Sequence, residues 1–530
     1  MNLFNNKEVS TNIIPGFAMA IINLPMSIGF AFLAGIPPEM MIVSSIICAI
    51  VGHFLNASKY AVGGPNSAIS ILITVAVVPF APQMSDLYIG YVLTLSLFVG
   101  LWQLAFCIVF AKFNVTDYFG VEIIEGLVVG IGIIFILSTF YMMLGLPQLS
   151  YSQWLIFDVI SLIISTFHNE GSYSAVLLSC ITIFIGISLR FTSLKKYAVI
   201  LSFLIGFISF ILLELFTNLD FNIEKVGWIH LKLTTSFPDL RQVSFPIIAN
   251  LIVPSFVIAI ISTLQAITVI KGVQDKNEIA NPLRDVFSQG IQHIFISFLH
   301  GAPSANSINK SVTKKELGSG SRSLIYSALF TIILVVFFDF IIAYIPLSIL
   351  GSILFLSGLS MVSWKKIRRF FIDSNLKTSL MFVITIFLVV VVGIYTAVTF
   401  AVLASFVLNV IASKVRITSE IRGKDELVII INGSILTHSY HRIQRYFNRV
   451  YKEDDIKKIT FDITNAVLYS GSVIDFEWIS IYHDKGVKVT ILHNKALAES
   501  LEDLIKLNPK IGAFNFTTPF EYWGDLRKNA

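Results

Sequence analysis

The sequence predicts a polytopic α-helical membrane protein of fourteen spans, built as two inverted seven-span repeats with two half-helices and followed by a cytoplasmic α/β domain. Three observations carry that expectation. The 530 residues are 55% hydrophobic and only 13% charged, whereas soluble domains carry roughly a quarter charged residues. Apolar runs long enough to cross ~30 Å of hydrocarbon recur until about residue 413 and then stop. Two of those runs are introduced by Gly and Pro at corresponding positions, Gly63-Gly-Pro-Asn-Ser67 and Gly301-Ala-Pro-Ser-Ala305.

Residues 1–11 form a polar cytoplasmic segment with Asn2, Asn5, Asn6, Lys7 and Glu8. The first apolar run has no small-residue cleavage site and leads straight into further spans, so no cleaved signal peptide is expected. The spans of the first repeat fall at about 12–34, 38–56, a half-length 66–80, 88–112, 118–143, 173–190 and 196–217. The run 150–167 is also apolar, but Asp158 and Trp154 place it along the outer surface. The second repeat comprises 244–271, 279–298, a half-length 304–316, 322–344, 347–363, 376–394 and 396–413. An odd number of spans per repeat requires the second to be inverted relative to the first.

The Gly/Pro breaks, including those in Asn23 to Glu39, matter because lipid cannot satisfy free backbone N–H and C=O groups. Such breaks survive only where the chain lines an enclosed cavity, and paired interrupted segments point to a transporter's binding site. The function class is therefore transport. The sequence lacks a Walker motif, a cluster of metal ligands and a nucleophile–base pairing, so no enzyme and no cofactor is expected. Cys48, Cys107 and Cys180 lie far apart in apolar runs and read as small hydrophobes. His293 and His300 read as interface residues near the outer end of their span.

Charge supplies an independent check. Lys59, Lys112, Arg190, Lys195, Lys196, Lys271, Lys276, Lys314, Lys315, Arg322 and Lys365 to Arg369 all fall on one side of this arrangement, while loops 81–87 and 144–172 contain no Lys or Arg. The positive-inside rule then puts both ends of the chain in the cytoplasm of a cell in whose membrane it is multi-pass. The loop 218–243 is an exception, with Lys225, Lys232 and Arg241 offset by Asp220, Glu224 and Asp239.

After a linker at 414–424, residues 425–530 change character. Leu427–Ile431, Lys458–Asp462 and Val487–Leu492 read as strands; Tyr440–Tyr451, Val473–Asp484 and Ala496–Leu507 read as helices. Alternation at this spacing predicts a small α/β domain with largely parallel strands.

Four segments resemble the SulP family of sulfate-permease-type anion transporters, relatives of prestin. They are Leu24-Pro25 through Ala34-Gly35-Ile-Pro-Pro38, Val62-Gly-Gly-Pro65, Gly301 through Ser311, and Tyr344-Ile-Pro-Leu-Ser-Ile-Leu350. The tail 425–530 resembles a STAS domain. The resemblance implies a transport domain over 12–413 (repeats about 12–217 and 244–413) split into core and gate, commonly as a homodimer, with a cytosolic protein partner possible through STAS and no role for nucleic acid.

It also implies a site for a small inorganic anion, sulfate or bicarbonate foremost, where half-helix N-termini supply N–H donors and a positive dipole end. The expected substrate-binding residues are Phe30, Gly64, Asn66, Ser67, Ala68, Gln265, Ser304, Ala305, Asn306, Ser307 and Lys310. Lys310 stands where relatives carry Arg; the alternative is that it snorkels toward the cytoplasmic end with Lys314 and Lys315. Gln265 replaces an acidic residue that couples transport to Na+ or H+ in relatives, which weakens that coupling here, and Glu125 is the alternative proton site. Met26 makes the pocket more apolar than in sulfate-type relatives. Ser470 and Ser472 occupy the loop that is phosphorylated in STAS antagonists. An anion channel or exchanger for chloride, nitrate or dicarboxylate, or a transporter-derived sensor signalling through STAS, is the alternative function.

Overall fold

A computed structural model describes residues 9–56, 58–113, 121–146, 172–193, 197–217, 223–229, 245–273, 282–362, 376–393, 395–400, 416–422, 425–435, 437–451, 456–468, 486–493 and 515–517, together with 164, 367–368 and 404. The surface segment expected at 150–167, the tail helices at 473–484 and 496–507, and Ser470 and Ser472 lie outside the described residues, single positions apart, as does most of the span at 396–413. The chain divides into two compact units: 1–116, 127–363 and 386–399 form one, and 117–126, 364–385 and 400–530 the other.

The first unit is helical. Its elements are α1 (Ile14–Ala34), α2 (Pro38–Leu55), β1 (Gly63–Gly64), α3 (Ser67–Val77), α4 (Asp86–Phe113), most of α5 (Val121–Met143), α6 (Tyr173–Arg190), α7 (Ala198–Thr217), α8 (Phe245–Val273), α9 (Pro282–Phe298), β2 (Ala305–Asn306), α10 (Ile308–Glu316), α11 (Ser323–Phe337), α12 (Asp339–Ala343) and α13 (Leu347–Met361). Seven helices among the described residues are long and apolar enough to cross a membrane. On α6 and α7 the exposed side chains include Phe184, Ile208, Leu215 and Phe216; in water these would be costly, and they suit contact with lipid.

Three expectations are corrected. α1 runs unbroken through Pro25, and the interruption falls after it, at left-handed Gly35 (φ 66), whose N–H closes the helix on Ala31 and Phe32. The second half-helix begins at Ile308 rather than 304, because Ala305 and Asn306 are extended and pair with Gly64 and Gly63. The run expected as one span at 322–344 divides at Phe338 into α11 and α12. Asp339, which opens α12, accepts the Ile229 N–H at 3.0 Å.

Gly residues set the closest helix approaches. A Cβ at Gly100 on α4 would lie 2.9 Å from the Gly290 carbonyl on α9. At Gly29 on α1 it would meet Leu354 of α13 at 2.7 Å. Around the second crossing Ile28, Ile42, Leu324, Ala328 and Leu350 form a buried core joining α1, α2, α11 and α13.

The Lys225 exception to the charge pattern has a local cause. Its Nζ lies 3.1 Å from Glu214 Oε1 and 3.6 Å from the centre of the Tyr344 ring. Tyr344 in turn donates to Glu214 at 2.6 Å. Backbone bonds Val226 N to Ile345 O and Leu347 N to Glu224 O clip this loop onto the entry to α13. The lysine is neutralised in place.

The second unit carries the α/β tail. Its sheet runs β3 (Arg416–Arg422), β4 (Glu426–Ile435), β5 (Lys458–Asp462), β7 (Lys488–Leu492), β8 (Asn515–Thr517), with β6 (Ala466–Leu468) also pairing β4. β4 to β8 pair in parallel and β3 is antiparallel, so the expected strands form with the expected sense; β3, which occupies most of the stretch expected as a linker at 414–424, and the short β6 and β8 are strands that the sequence did not signal. Amphipathic α15 (Thr437–Val450) buries Phe447 against Phe461 at 5.9 Å between ring centres. Also in this unit, Gly126 at the start of α5 lies against Thr385 of α14 (Leu376–Phe387).

Candidate anion-binding site

Val62-Gly-Gly-Pro65 and Ala302-Pro-Ser-Ala-Asn-Ser307 are too broken to continue a helix, so each runs extended and pairs with the other. Gly63 pairs with Asn306 and Gly64 with Ala305, antiparallel. Ser307 N donates to Val62 O at 3.0 Å, and Val62 N to Ser311 Oγ at 3.0 Å. This two-stranded clasp satisfies backbone groups that lipid could not. It also brings the starts of α3 and α10 to one place. Gly64 has φ 145, a conformation glycine adopts without penalty.

The first turns of α3 and α10 carry N–H groups with no partner inside the helix. On α3, Asn66 Oδ1 accepts from Ala68 N at 3.0 Å. Asn66 is therefore a helix cap, and the Ala68 N–H is taken. No side chain caps α10. Lys310 does not snorkel: it is 2% exposed, and its Nζ donates across the clasp to Pro65 O at 3.2 Å. Phe30 of α1 faces it, with Nζ 6.0 Å from the ring centre, and Phe30 packs on Phe135 of α5. A Cβ at Gly64 would lie 3.6 Å from that Nζ.

The other expected site residues separate into two groups. Ser67 Oγ donates to Met361 Sδ at 3.3 Å, and Ala305 is buried in the clasp. Asn306 is 1% exposed, and its side-chain amide lies on the Gly63 side of the clasp, 3.0 Å from the amide of Gln289. Gln265 stands on α8, which packs against α3, β2 and α10, and its buried Oε1 has no partner. Ser307 caps α10 by backbone position alone. Ser304 is turned away, its Oγ 3.1 Å from Cys48 Sγ. Glu125 belongs to the second unit.

Behind the clasp lies a polar cluster that the sequence reading missed. His293 is fully buried rather than at an interface. Its Nδ1 lies 2.8 Å from Gln103 Oε1 and 2.9 Å from Gln289 O, and its Nε2 3.0 Å from Ser304 N. Gln103 Nε2 donates to Ser262 Oγ at 2.8 Å and to Gln289 Oε1 at 2.9 Å. Ser44 and Cys48, one turn apart on α2, hold the other side: Ser44 Oγ accepts from Ala302 N at 2.8 Å. The signal was the polar stripe Asp285, Gln289, Gln292, His293 on α9, all buried at helical spacing.

At the far end of α10, Lys314 Nζ donates to Lys59 O and Lys315 Nζ to Val273 O, each at 2.7 Å. Arg284 Nε donates to Leu55 O at 3.0 Å. These cations cap carbonyls at the ends of α8 and α2, the position that favours positive charge.

The sequence profile of the sulfate permease family matches residues 9–384. The chain belongs to this family. Its members are permeases, so the chain is a membrane transport protein and not an enzyme. "Sulfate transporter 2.2" of Arabidopsis thaliana is 26% identical over 171 residues, covering 32% of this chain and 24% of that protein. "Putative sulfate transporter YvdB" of Bacillus subtilis (strain 168) is 19% identical over 413 residues, 75% of this chain and 74% of that one. The overall structure of SLC26A9 aligns with a TM-score of 0.67 and 14% identity over 99% of this chain and 91% of its own. The transmembrane domain of the cyanobacterial bicarbonate transporter BicA aligns with a TM-score of 0.61 and 17% identity over 76% of this chain and 98% of its own. These likenesses extend to the fold.

Proposed function

We propose that this sulfate permease family chain is a secondary transporter of a small inorganic anion, of the sulfate or bicarbonate class, working by alternating access. The anion binds between the first turns of α3 and α10, where two helix N-termini and the Lys310 ammonium converge. The observation that carries this reading is the β1–β2 clasp with Lys310 reaching across it to Pro65 O at 3.2 Å. An arriving oxyanion replaces that carbonyl as the lysine's partner. Phe30 supplies an apolar wall beside the ammonium, 6.0 Å from Lys310 Nζ to its ring centre.

The transport domain runs over 12–413 as two inverted seven-span repeats (12–217 and 244–413), a core half moving against a gate half. Residues 414–424 link it to a STAS domain at 425–530, which offers a surface to a cytosolic protein. Both termini face the cytoplasm, and two chains form the homodimer. The names of the plant and Bacillus relatives speak for sulfate, and that of the cyanobacterial neighbour for bicarbonate.

Uptake of labelled sulfate and bicarbonate into proteoliposomes, with and without imposed Na+ and pH gradients, tests this. Saturable uptake of one anion with counterflow is expected. Unsaturable flux would make the chain a channel, and no flux of either anion would overturn the proposal.

A further inference from the structure

His293 is unused by the site just described, yet it touches the segment that builds it. Gln289 O is a fixed acceptor 2.9 Å from Nδ1, so Nδ1 carries the hydrogen, shared with Gln103 Oε1 at 2.8 Å. Nε2 therefore presents its lone pair to the Ser304 N–H at 3.0 Å. The Ser304 carbonyl lies 2.9 Å from the same Nε2. One residue thus offers Nε2 both a donor and an acceptor. A proton arriving at Nε2 would be donated to the Ser304 C=O, so both imidazole hydrogens keep acceptors while the Ser304 N–H gives up its own.

What such a proton would lack is a counter-charge. Of the titratable or charged groups on the elements that pack against α9, α2 carries Glu39, Cys48 and His53, α4 Asp86, Tyr88, Tyr91, Cys107 and Lys112, α8 Lys271, and α9 itself Arg284 and Asp285, while Lys310 and Lys314 stand on α10; none of them is among the groups that His293 hydrogen-bonds. Asp285 lies eight residues away, about 12 Å along the helix, and its Oδ2 accepts the Ser58 N–H. α8 presents Ser262, and α4 presents Gln103, both uncharged. A buried cation needs an opposite charge. Ala305, which pairs with Gly64 on the Lys310 side of the clasp, adjoins Ser304, so a bound anion is the group placed to provide it.

We infer that His293 is a proton-binding site coupled to the anion: proton on Nε2 and anion at the clasp favour each other, and the two cross together. The inference rests on the transport reading above. With Lys310 already cationic, a second positive charge favours a divalent oxyanion, so sulfate is the probe. Reciprocity between the two ligands makes sulfate affinity rise as pH falls, by up to about tenfold per pH unit for one coupled proton.

The test uses the purified full chain. Sulfate added to protein in weakly buffered solution should be accompanied by uptake of about one proton per sulfate bound; binding with no proton uptake overturns the inference. In proteoliposomes, an inward proton gradient should stimulate sulfate uptake by wild type. His293→Gln keeps an acceptor for Ser304 N–H but cannot titrate. It should retain sulfate–sulfate counterflow while losing both the gradient stimulation and the pH dependence of affinity. Stimulation that survives in the variant overturns the role of His293 and leaves transport standing. Absence of sulfate binding and flux in wild type overturns the transport reading itself, and the inference with it.

Discussion

Replacing Lys310 with methionine removes the ammonium and keeps most of the side-chain volume. In the anion-free protein the lysine's visible partner is Pro65 O, at 3.2 Å. Loss of that bond leaves one buried carbonyl under-satisfied, at a cost of about 1–3 kcal/mol. It also removes a charge from a site that is 2% exposed, which relieves desolvation and offsets part of that cost. The fold should therefore persist with a small change in Tm. Anion binding should change far more. A hydrogen bond to a charged group contributes about 1.5–3 kcal/mol, or roughly 10- to 150-fold in Kd at ~1.4 kcal/mol per factor of ten. Lys310→Arg keeps the charge but replaces a point donor by a planar fork, so it should recover part of the affinity. Isothermal titration of sulfate and bicarbonate into detergent-solubilised wild type and both variants, at fixed ionic strength, reads this directly. Lys310→Met that folds and binds with unchanged affinity refutes the placement of the anion at the clasp.

Three further outcomes are expected. Gly64→Ala puts a Cβ on a residue at φ 145 and 3.6 Å from Lys310 Nζ; it should cost about 1–3 kcal/mol, seen as a lower Tm, and weaken anion binding as well. Gly100→Leu drives a side chain into the Gly290 carbonyl and His293 Cβ, at 2.9 and 3.1 Å from the new Cβ. It should destabilise by about 1–3 kcal/mol or more, whereas a Tm within a degree of wild type would show that α4 and α9 are not held this close. Lys225→Met breaks the Glu214 pair and the stacking on Tyr344, and should lower stability by about 1 kcal/mol or less without altering anion affinity. Burial opposes the Lys225 charge, but Glu214 and Tyr344 outweigh it and raise its pKa above the ordinary lysine value. The contribution is therefore complete below about pH 10 and fades as pH climbs through the raised value; a Tm difference between wild type and variant that grows above pH 10 would refute this pairing.

The sequence by itself determined what depends on local chemistry. Hydropathy marked α1, α2, α4 to α8 because a span must be apolar along its own length. Gly and Pro at 63–65 and 301–303 marked the two breaks because those residues alone forbid a continuous helix. The continuous apolar, β-branched run at 427–431 and the helical stripe through Tyr440–Tyr451 fixed a strand and a helix of the tail for the same reason. Tertiary structure alone decided how distant pieces meet. Extended residues 305–306 cannot be told from the first turn of a helix until Gly63 and Gly64 arrive as their hydrogen-bonding partners. Lys310 on a short helix beside Lys314 reads equally as a snorkelling cation; only Pro65 O, 245 residues earlier, shows where its ammonium goes. His293 looked peripheral because its partners Gln103 and Ser304 lie 190 and 11 residues away and belong to different elements. Apolar periodicity carries no information about such pairs, since a buried polar group is specified by the one neighbour that satisfies it.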